Sequence, residues 1–411
     1  MSTRLTPAPS RRDFLRTTGT GLAAAPFVLP TLGAASDRPR AAASVPGTAA
    51  PAADVQATGQ PFPDLESPLP LAPDQKVGWA VVGLGAFALN QILPTIGRTR
   101  RCRLAALVSG NADKARAVGQ AYGVRPDRIY SYDTFDRIAQ ADDVDVVYVV
   151  LPNALHRPWT ERALAAGKHV FCEKPMAPTE ADCQAMIDAA DRAGKKLLIA
   201  YRAHFEPHNV RARELIREGA IGTPQLVTSS HGRILNLDHQ RDKWRAKEEL
   251  AGGGSLFDIG IYGLNGAMML LEEEPTEVLA TWTAPEDERP EVNVETGVRW
   301  SMRFPSGAEA HMASSYAIAQ NKHIDVSGSE GRLLLNPATD YYHNALYRSR
   351  EAGTERIVLS ATEQFTGELD HMAEVVRDGA EAKVPASMGL RDVRLMQAIY
   401  TSARTGRPVS V

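Results

Sequence analysis

The chain has 411 residues, which suggests two or three domains at roughly 100–200 residues each. Hydrophobic residues make up 44% and charged residues 23%, ordinary values for a globular protein with a large buried core. Lys plus Arg count 46 against 49 for Asp plus Glu, a formal charge of −3 with no basic footprint, which argues against a nucleic-acid partner. Three cysteines cannot build a disulfide framework. No uninterrupted apolar run is long enough to span a bilayer, so no membrane anchor is expected, and no metal-ligand set stands out. A soluble enzyme or binding protein remains.

Ser10-Arg11-Arg12-Asp13-Phe14-Leu15 sets a paired arginine directly before a weakly apolar stretch, Thr17 to Ala35, that ends in small residues. A basic tail is the bland alternative. The order of paired arginine, Phe-Leu, apolar stretch and small residues reads as a twin-arginine export signal over residues 1–35. Its four arginines outweigh Asp13, so cleavage takes the net charge to about −6. Ala41-Ala42-Ala43 offers a second small-residue cleavage site. Export of a folded protein implies a periplasmic location and a cofactor acquired in the cytoplasm. Cys102, Cys172 and Cys183 are then expected reduced and buried. Residues 36–76 are rich in Ala and Pro and read as an extended arm.

A dinucleotide-binding Rossmann domain is expected over residues 77–204. Val77-Gly78-Trp79-Ala80-Val81-Val82 reads as a buried strand, Gly83-Leu84-Gly85-Ala86-Phe87-Ala88 follows at once, and a helical pattern comes next. Gly83 permits the tight turn, Gly85 admits the pyrophosphate, and Ala88 allows close helix packing. The helix N-terminus offers a partial positive charge to phosphate. Arg103 to Val108 forms the second strand, at whose end NAD enzymes place an acid for the ribose 2′-hydroxyl. Here that end holds Ser109, Gly110 and Asn111, with Lys114 one turn on. No carboxylate repels a 2′-phosphate and a lysine can pair with it, so NADP is favoured; the alternative is an ordinary exposed helix lysine. Asp145 to Val150 runs into Leu151-Pro152-Asn153, with His156 just beyond, and His169 to Cys172 runs into Glu173-Lys174-Pro175. Both polar ends fall at the carboxyl edge of a parallel sheet. Lys196 to Ala200 closes the set and leads to Tyr201-Arg202.

Residues 205–389 change to alternating segments with few helices. Strands are expected at Gln225–His231, Glu277–Thr283, Val292–Phe304, Glu309–Tyr316, His323–Ser327 and Arg332–Leu335, close enough in sequence for a mainly antiparallel open sheet. Glu363–Asp378 and Leu390–Thr405 look helical, and residues 390–411 are expected to pack back on the first domain. The fold class is therefore α/β plus α+β. Gly252-Gly253-Gly254-Ser255 opens a further helix with Ser255 near its start. Asp258 and Tyr262 stand four apart on it, on one face. An acid and a phenol so placed can grip and deprotonate a sugar hydroxyl; an exposed acid beside a half-buried tyrosine is the ordinary alternative.

From Val77 to Val409 these residues resemble the glucose–fructose oxidoreductase branch of the Gfo/Idh/MocA family. The likeness rests on Val82-Gly83-Leu84-Gly85 with Ala88-Leu89-Asn90-Gln91, on Ala106 to Asn111, on Cys172-Glu173-Lys174-Pro175-Met176, and on Glu249 to Asn265. The resemblance implies a Rossmann domain joined to an open sheet domain and tightly held NADP. It also implies a closed cycle in which an aldose leaves as a lactone and a ketose or aldose leaves as an alditol. In the glucose–fructose case the products are gluconolactone and sorbitol. Carried onto matching positions, Lys174 and Tyr262 become the proton-handling pair and Asp258 a sugar ligand. Lys174 is expected to lower the pKa of the Tyr262 phenol. Leu84, Phe87, Tyr132 and Glu173 fall among the implied cofactor contacts, as do Leu151, Pro152 and Asn153. His156, Arg202, Trp244 and Arg245 would line the cofactor and the mouth of the site. Ala86 departs from the lysine that this branch tends to carry beside the pyrophosphate. The resemblance further implies a homodimer or homotetramer, with the arm lying across a neighbouring subunit.

Overall fold

The structure, a computed structural model, describes residues 70–283, 291–359 and 363–411. The export signal and nearly all of the Pro-rich arm lie outside the described residues. Val77–Val82 (β1) lacks polar alternation and all six residues are buried, the pattern of a parallel strand covered on both faces. With β2 (Cys102–Val108), β3 (Ile129–Tyr130), β4 (Val146–Val149), β5 (His169–Glu173) and β6 (Leu197–Ala200) it forms a parallel sheet in the order β3-β2-β1-β4-β5-β6. Trp79, Tyr148 and Phe171 from the three central strands pack with ring centroids 4.9–5.9 Å apart, fastening one face of the sheet. The strand order reverses between β1 and β4, and doubly wound sheets bind ligands at the carboxyl ends there. Helices α1 (Leu93–Ile96), α2 (Ala112–Tyr122), α3 (His156–Ala165) and α4 (Glu180–Ala193) accompany the strands, α1 being preceded by a π-turn over Ala88–Ile92.

After α5 (Pro207–Arg217) comes a second, nine-stranded sheet. It is built from β7 (Pro224–Ile234), β8 (Glu277–Thr283), β9 (Gly297–Arg303), β10 (Glu309–Ser315), β11 (Ala317–Gly328), β12 (Arg332–Leu335), β13 (Leu346–Arg350), β14 (Gly353–Ile357) and β15 (Val409–Ser410). The order is β14-β13-β12-β11-β7-β10-β9-β8-β15, antiparallel throughout except where β7 meets β10. The expected mainly antiparallel sheet is present, with three unexpected strands. β14 is almost wholly exposed, β13 is half-buried but has Leu346 as its one fully buried residue ahead of Tyr347-Arg348-Ser349-Arg350, and β15 has two residues, so none carries an apolar alternation to read.

Short helices α6 (Gln240–Lys243) and α7 (Glu248–Ala251) lead to a π-turn over Leu256–Gly260 that runs into α8 (Ile261–Leu271). The stretch Glu248–Leu271 is long and apolar enough to cross a membrane by composition. It is instead a core element, with 72% of its most apolar window buried. Gly260, Gly263 and Gly266 line its contact with the sheet: a Cβ at Gly263 would sit 2.7 Å from Ser229 Oγ, and one at Gly266 2.6 Å from Ile324 Cδ1. The glycine stripe lets the helix backbone lie on the strands. Helix α9 (Gln364–Arg377) precedes α10 (Ala386–Thr405), which packs on α4 and β6 of the first sheet and on β8 of the second. The Val384 carbonyl accepts from Ile199 N–H at 3.1 Å, fastening the returning segment to the edge of the first sheet.

Candidate active site

Gly83 ends β1 with φ +97°, and a Cβ there would lie 2.3 Å from the Val150 carbonyl oxygen. Only glycine fits. Two residues on, Gly85 is exposed and a Cβ would meet nothing within 4 Å, so open space stands before the following turn of helix. Leu84 is buried, Ala86 is exposed, and Phe87 packs against Phe365 and Tyr341. At the end of β2, Ser109 Oγ accepts from Asn111 N–H, and Asn111 Oδ1 accepts from Lys114 N–H, capping α2. Lys114 Nζ donates to the Leu84 carbonyl at 2.8 Å, which holds its charge against the glycine loop. Tyr132 lies over Gly110 and 5.0 Å from the Trp159 ring.

An open glycine loop at a helix start, a tethered ammonium and no carboxylate at the strand end fit NADP. A charge-assisted hydrogen bond contributes about 1.5–3 kcal/mol, so Lys114→Ala is expected to cut the preference for NADP over NAD by about 10–100-fold. Paired titrations of the two dinucleotides check this; an unchanged ratio would assign Lys114 to the scaffold.

The reaction centre forms where β5 runs out against the π-turn and α8. Lys174 Nζ donates to the backbone carbonyl of Asp258 at 2.7 Å and lies 4.5 Å from the centroid of the Tyr262 ring. The Arg202 guanidinium lies 4.7 Å from the same centroid. Burial pushes the Tyr262 phenol above its ordinary value, and Arg202 leads the opposing influences, by charge and by hydrogen bond. This corrects the expectation that Lys174 alone would lower that pKa: the resting tyrosine is a phenol, and its chief cationic partner is Arg202. Burial also lowers the Lys174 pKa, against the pull of Asp258 and Glu173. Glu173 is half-buried, accepts from Tyr148 Oη at 2.6 Å, and is shifted upward by desolvation. Arg202 donates to Gln364 Oε1 and to the carbonyls of Thr339 and Asp340; among the described residues its buried Nε, on the side chain that faces Tyr262, meets no acceptor at hydrogen-bond geometry.

Asp258, expected as a sugar ligand, is also held by two cations. One carboxylate oxygen accepts from Arg245 Nε at 3.1 Å and the other from Arg233 Nη1 at 3.0 Å, and these cations overcome the opposing effect of burial to hold its pKa well below the carboxylate range. Both arginines also pair with buried Asp242. The carboxylate therefore organises two guanidinium groups at the site, and a sugar would meet their remaining donors as well as the acid. Arg245 lies 4.4 Å from the Trp244 ring, which is half-exposed.

Several expected cofactor residues also make contacts within the scaffold. His156 is fully buried, with each ring nitrogen 2.9 Å from a carbonyl, those of Leu151 and Pro175, and burial lowers its pKa. As a neutral ring it has one N–H, which it gives to one of these two carbonyls, and it sits between the ends of two strands. Asn153 Nδ2 donates to the Ala251 carbonyl at 2.8 Å, linking the β4 end to the turn before the catalytic helix. Leu151 and Pro152 are half-buried in the same loop.

Four residues absent from the sequence-based set belong here: Arg233, Asp242, His231 and Glu295. The His231 ring stacks on Tyr262 with centroids 6.0 Å apart. Its Nε2 meets Thr339 Oγ1 at 2.9 Å, and burial pulls its pKa down to about 3, so it stays neutral. Glu295 reaches the start of the catalytic helix from the segment before β9. Arg233, His231 and Glu295 lie 25 to 41 residues from Asp258, Tyr262 and Gly254, so no spacing rule connects them; Asp242 stands three residues before Arg245 and was locally readable.

A nucleotide-binding parallel sheet carrying a Lys–Tyr pair at its carboxyl edge, joined to an open antiparallel sheet, defines a dinucleotide-dependent oxidoreductase. Residues 77–201 match the oxidoreductase family with the NAD-binding Rossmann fold, and residues 209–334 match the GFO/IDH/MocA C-terminal domain. The chain belongs to the Gfo/Idh/MocA oxidoreductase family. It is 34% identical to D-xylose 1-dehydrogenase [NADP(+)] of Haloarcula marismortui over 81% of this chain and 93% of that one. Among solved structures it is similar to the aldose–aldose oxidoreductase of Caulobacter crescentus complexed with glycerol. Identity there is 44% and the TM-score 0.78, covering 82% of this chain and all of the other. The 3-ketoreductase KijD10 of Actinomadura kijaniata, in complex with TDP-benzene and NADP, is 26% identical with a TM-score of 0.70, covering 80% and 98%.

Proposed function

We propose that this protein is an exported, NADP-containing sugar oxidoreductase that oxidises an aldose at C1 to its lactone and passes the hydride to a second sugar. The observation that carries this reading is the meeting of Lys174, the Asp258 carbonyl and Tyr262 at the carboxyl edge of the nucleotide-binding sheet. The glucose–fructose pairing is the form the sequence resemblance implies. The 44% likeness to an aldose–aldose oxidoreductase favours an aldose over fructose as the acceptor.

NADP, when bound, supplies hydride exchange with the sugar carbon. The chain supplies the rest. Arg233 and Arg245, ordered by Asp258 and Asp242, orient the sugar through their free donors. Tyr262 as phenolate takes the proton of the C1 hydroxyl while C1 becomes the lactone carbonyl. In the return half-reaction the same phenol gives its proton to the acceptor's carbonyl oxygen, and the acceptor leaves as an alditol. Proton and hydride balance over the cycle. The resting phenol suits the reductive half, and the oxidative half relies on Arg202 and Lys174 to stabilise the phenolate.

The purified mature protein is examined with no nicotinamide added. Reduced-nicotinamide fluorescence is expected to rise with glucose and fall when an acceptor aldose follows; reversal by fructose would return the acceptor to the ketose. A second reading, a dehydrogenase that exchanges NADP at each turnover, is favoured by exposed Ala86, which puts no charge beside the glycine loop. A signal appearing only after NADP addition would select it. Export by the twin-arginine route and assembly as a homodimer or homotetramer belong to the same proposal. Cell fractionation and light scattering test them; cytoplasmic retention, or a monomer, would remove the corresponding part.

A further inference from the structure

We propose that Glu295 is a positioning residue for the reaction centre, holding the first turn of the catalytic helix so that Lys174 is aimed at Tyr262. The proposal goes beyond the choice of sugar but rests on the reading of Lys174 and Tyr262 as the proton-handling pair. Glu295 is buried and all its neighbours donate to it: Gly254 N–H at 2.5 Å, Leu256 N–H at 2.8 Å, Tyr400 Oη at 2.9 Å and Ser255 Oγ at 3.3 Å. Helix starts leave such N–H groups unsatisfied, and a carboxylate is the acceptor that suits them. The Ser255 hydroxyl expected as the cap makes no capping bond to the helix, and the distant acid takes its place.

The lock is steric as well as polar. A Cβ on Gly254 would fall 1.9 Å from the Glu295 carbonyl oxygen, and one on Gly253 would fall 2.4 Å from Tyr400 Oη. Tyr400 stacks on Phe257 with centroids 5.8 Å apart. Gly253 and Gly254 are thus a seat for Tyr400 and Glu295, while Gly252 faces Pro178. From it, a short relay runs to the chemistry: Gly254 N–H donates to Glu295, Asp258 N–H donates to the Gly254 carbonyl at 3.0 Å, and Lys174 Nζ donates to the Asp258 carbonyl at 2.7 Å. A shift of Gly254 moves the acceptor that aims Lys174.

The ionised and protonated forms differ in what they can hold. A carboxylate accepts both N–H bonds and both hydroxyl bonds at once, whereas a carboxylic acid carries a proton that only the Ser255 or Tyr400 hydroxyl can accept, and that hydroxyl must turn away from donating to do so. Burial pushes the Glu295 pKa up to about 7, so the lock engages as pH rises through neutrality. The titratable groups facing it are Tyr400 of α10 and Tyr316 between β10 and β11. Burial raises both, so both stay neutral; Tyr316 also faces Asp258, Arg233 and Arg245.

The test is the pH profile of kcat and KM for the NADP-loaded enzyme with an aldose, in wild type, Glu295→Gln and Tyr400→Phe. Glu295→Gln should lower kcat by about 10–100-fold, as expected for a misplaced catalytic group, leave KM unchanged and abolish the acid limb near neutrality. Tyr400→Phe removes one donor from the carboxylate and should move that limb up by about one to two pH units. A wild-type kcat in Glu295→Gln, or a limb that stays put in both variants, overturns the proposal. If the Gln variant fails to retain NADP or fold, the position of the limb in Tyr400→Phe decides alone. Wild type that turns over no sugar would defeat the proposed function instead, and the lock is then read from stability. The folded-state pKa lies above the unfolded one, so the stability gained by keeping the buried Glu295 protonated is full below the ordinary carboxylate value and is lost as pH rises to about 7; engaging the lock by ionisation costs stability. The wild-type unfolding midpoint should fall over that range and the Gln variant should lack the fall; equal slopes overturn the lock.

Discussion

Tyr262→Phe is expected to lower kcat by about 10²–10⁴-fold in both half-reactions, the usual contribution of a positioned acid–base group. The substitution removes only the hydroxyl. The ring that stacks on His231 and lies beside Lys174 and Arg202 stays in place, so NADP content and the unfolding midpoint should not change. Lys174→Ala should lose a comparable factor for a different reason: the Asp258 carbonyl loses its donor, and the phenolate keeps Arg202 as its remaining cation. Because the two residues act as one unit, the double variant should be little worse than either single one. Full additivity, measured by steady-state turnover of the three variants, would show that they work at separate steps. Turnover left intact in either single variant would remove that residue from the mechanism.

Gly83→Ala is expected to abolish cofactor retention and to destabilise the fold by about 3 kcal/mol or more. Two costs combine. A non-glycine residue at φ +97° carries backbone strain of about 1–3 kcal/mol. The new Cβ would stand 2.3 Å from the Val150 carbonyl oxygen, which forces β1 away from the β4 end at a cost of about 1–3 kcal/mol. Since that loop also carries Leu84, whose carbonyl tethers Lys114, the 2′-phosphate end of the site should be lost with the pyrophosphate end. Urea unfolding and the NADP content of the purified protein check both. By contrast a Cβ at Gly85 meets nothing within 4 Å among the described residues, so Gly85→Ala should fold normally and lose affinity alone. Equal stability of Gly83→Ala and wild type would refute the geometric argument.

The legible parts of this protein are those where chemistry is written in neighbouring residues. The strand–glycine–helix unit at Val77 to Ala88 could be read because turn, phosphate approach and helix start are local events, and the structure places them in one loop. Ser109, Asn111 and Lys114 could be read together because a strand end and the following helix cap lie within six residues. Long alternating strands such as Glu277–Thr283 and Arg332–Leu335 were plain for the same reason, each declaring its own buried face. β13 and β14 were not: β14 has no buried face, and β13 follows its one buried residue, Leu346, with polar and half-buried ones, so neither carries an apolar alternation.

The reaction centre divides along the same line. Lys174, Asp258 and Tyr262 could be singled out from a strand end and a glycine-opened helix, and the resemblance to known sugar oxidoreductases gave them roles. Their actual arrangement belongs to the tertiary structure. Asp258 uses its backbone carbonyl for Lys174 and its carboxylate for two arginines, one of them on β7. Arg202 is the leading cation acting on the phenol, and His156 is a brace between strands. Glu295 sits 41 residues from the Gly254 amide that it holds. The sequence by itself determined the nucleotide-binding unit and the sheet type, because hydrophobic periodicity and turn chemistry are local. Only the tertiary structure decided which charges face which proton. Pairing, burial and the pKa shifts that follow depend on distances between segments that the chain brings together only on folding.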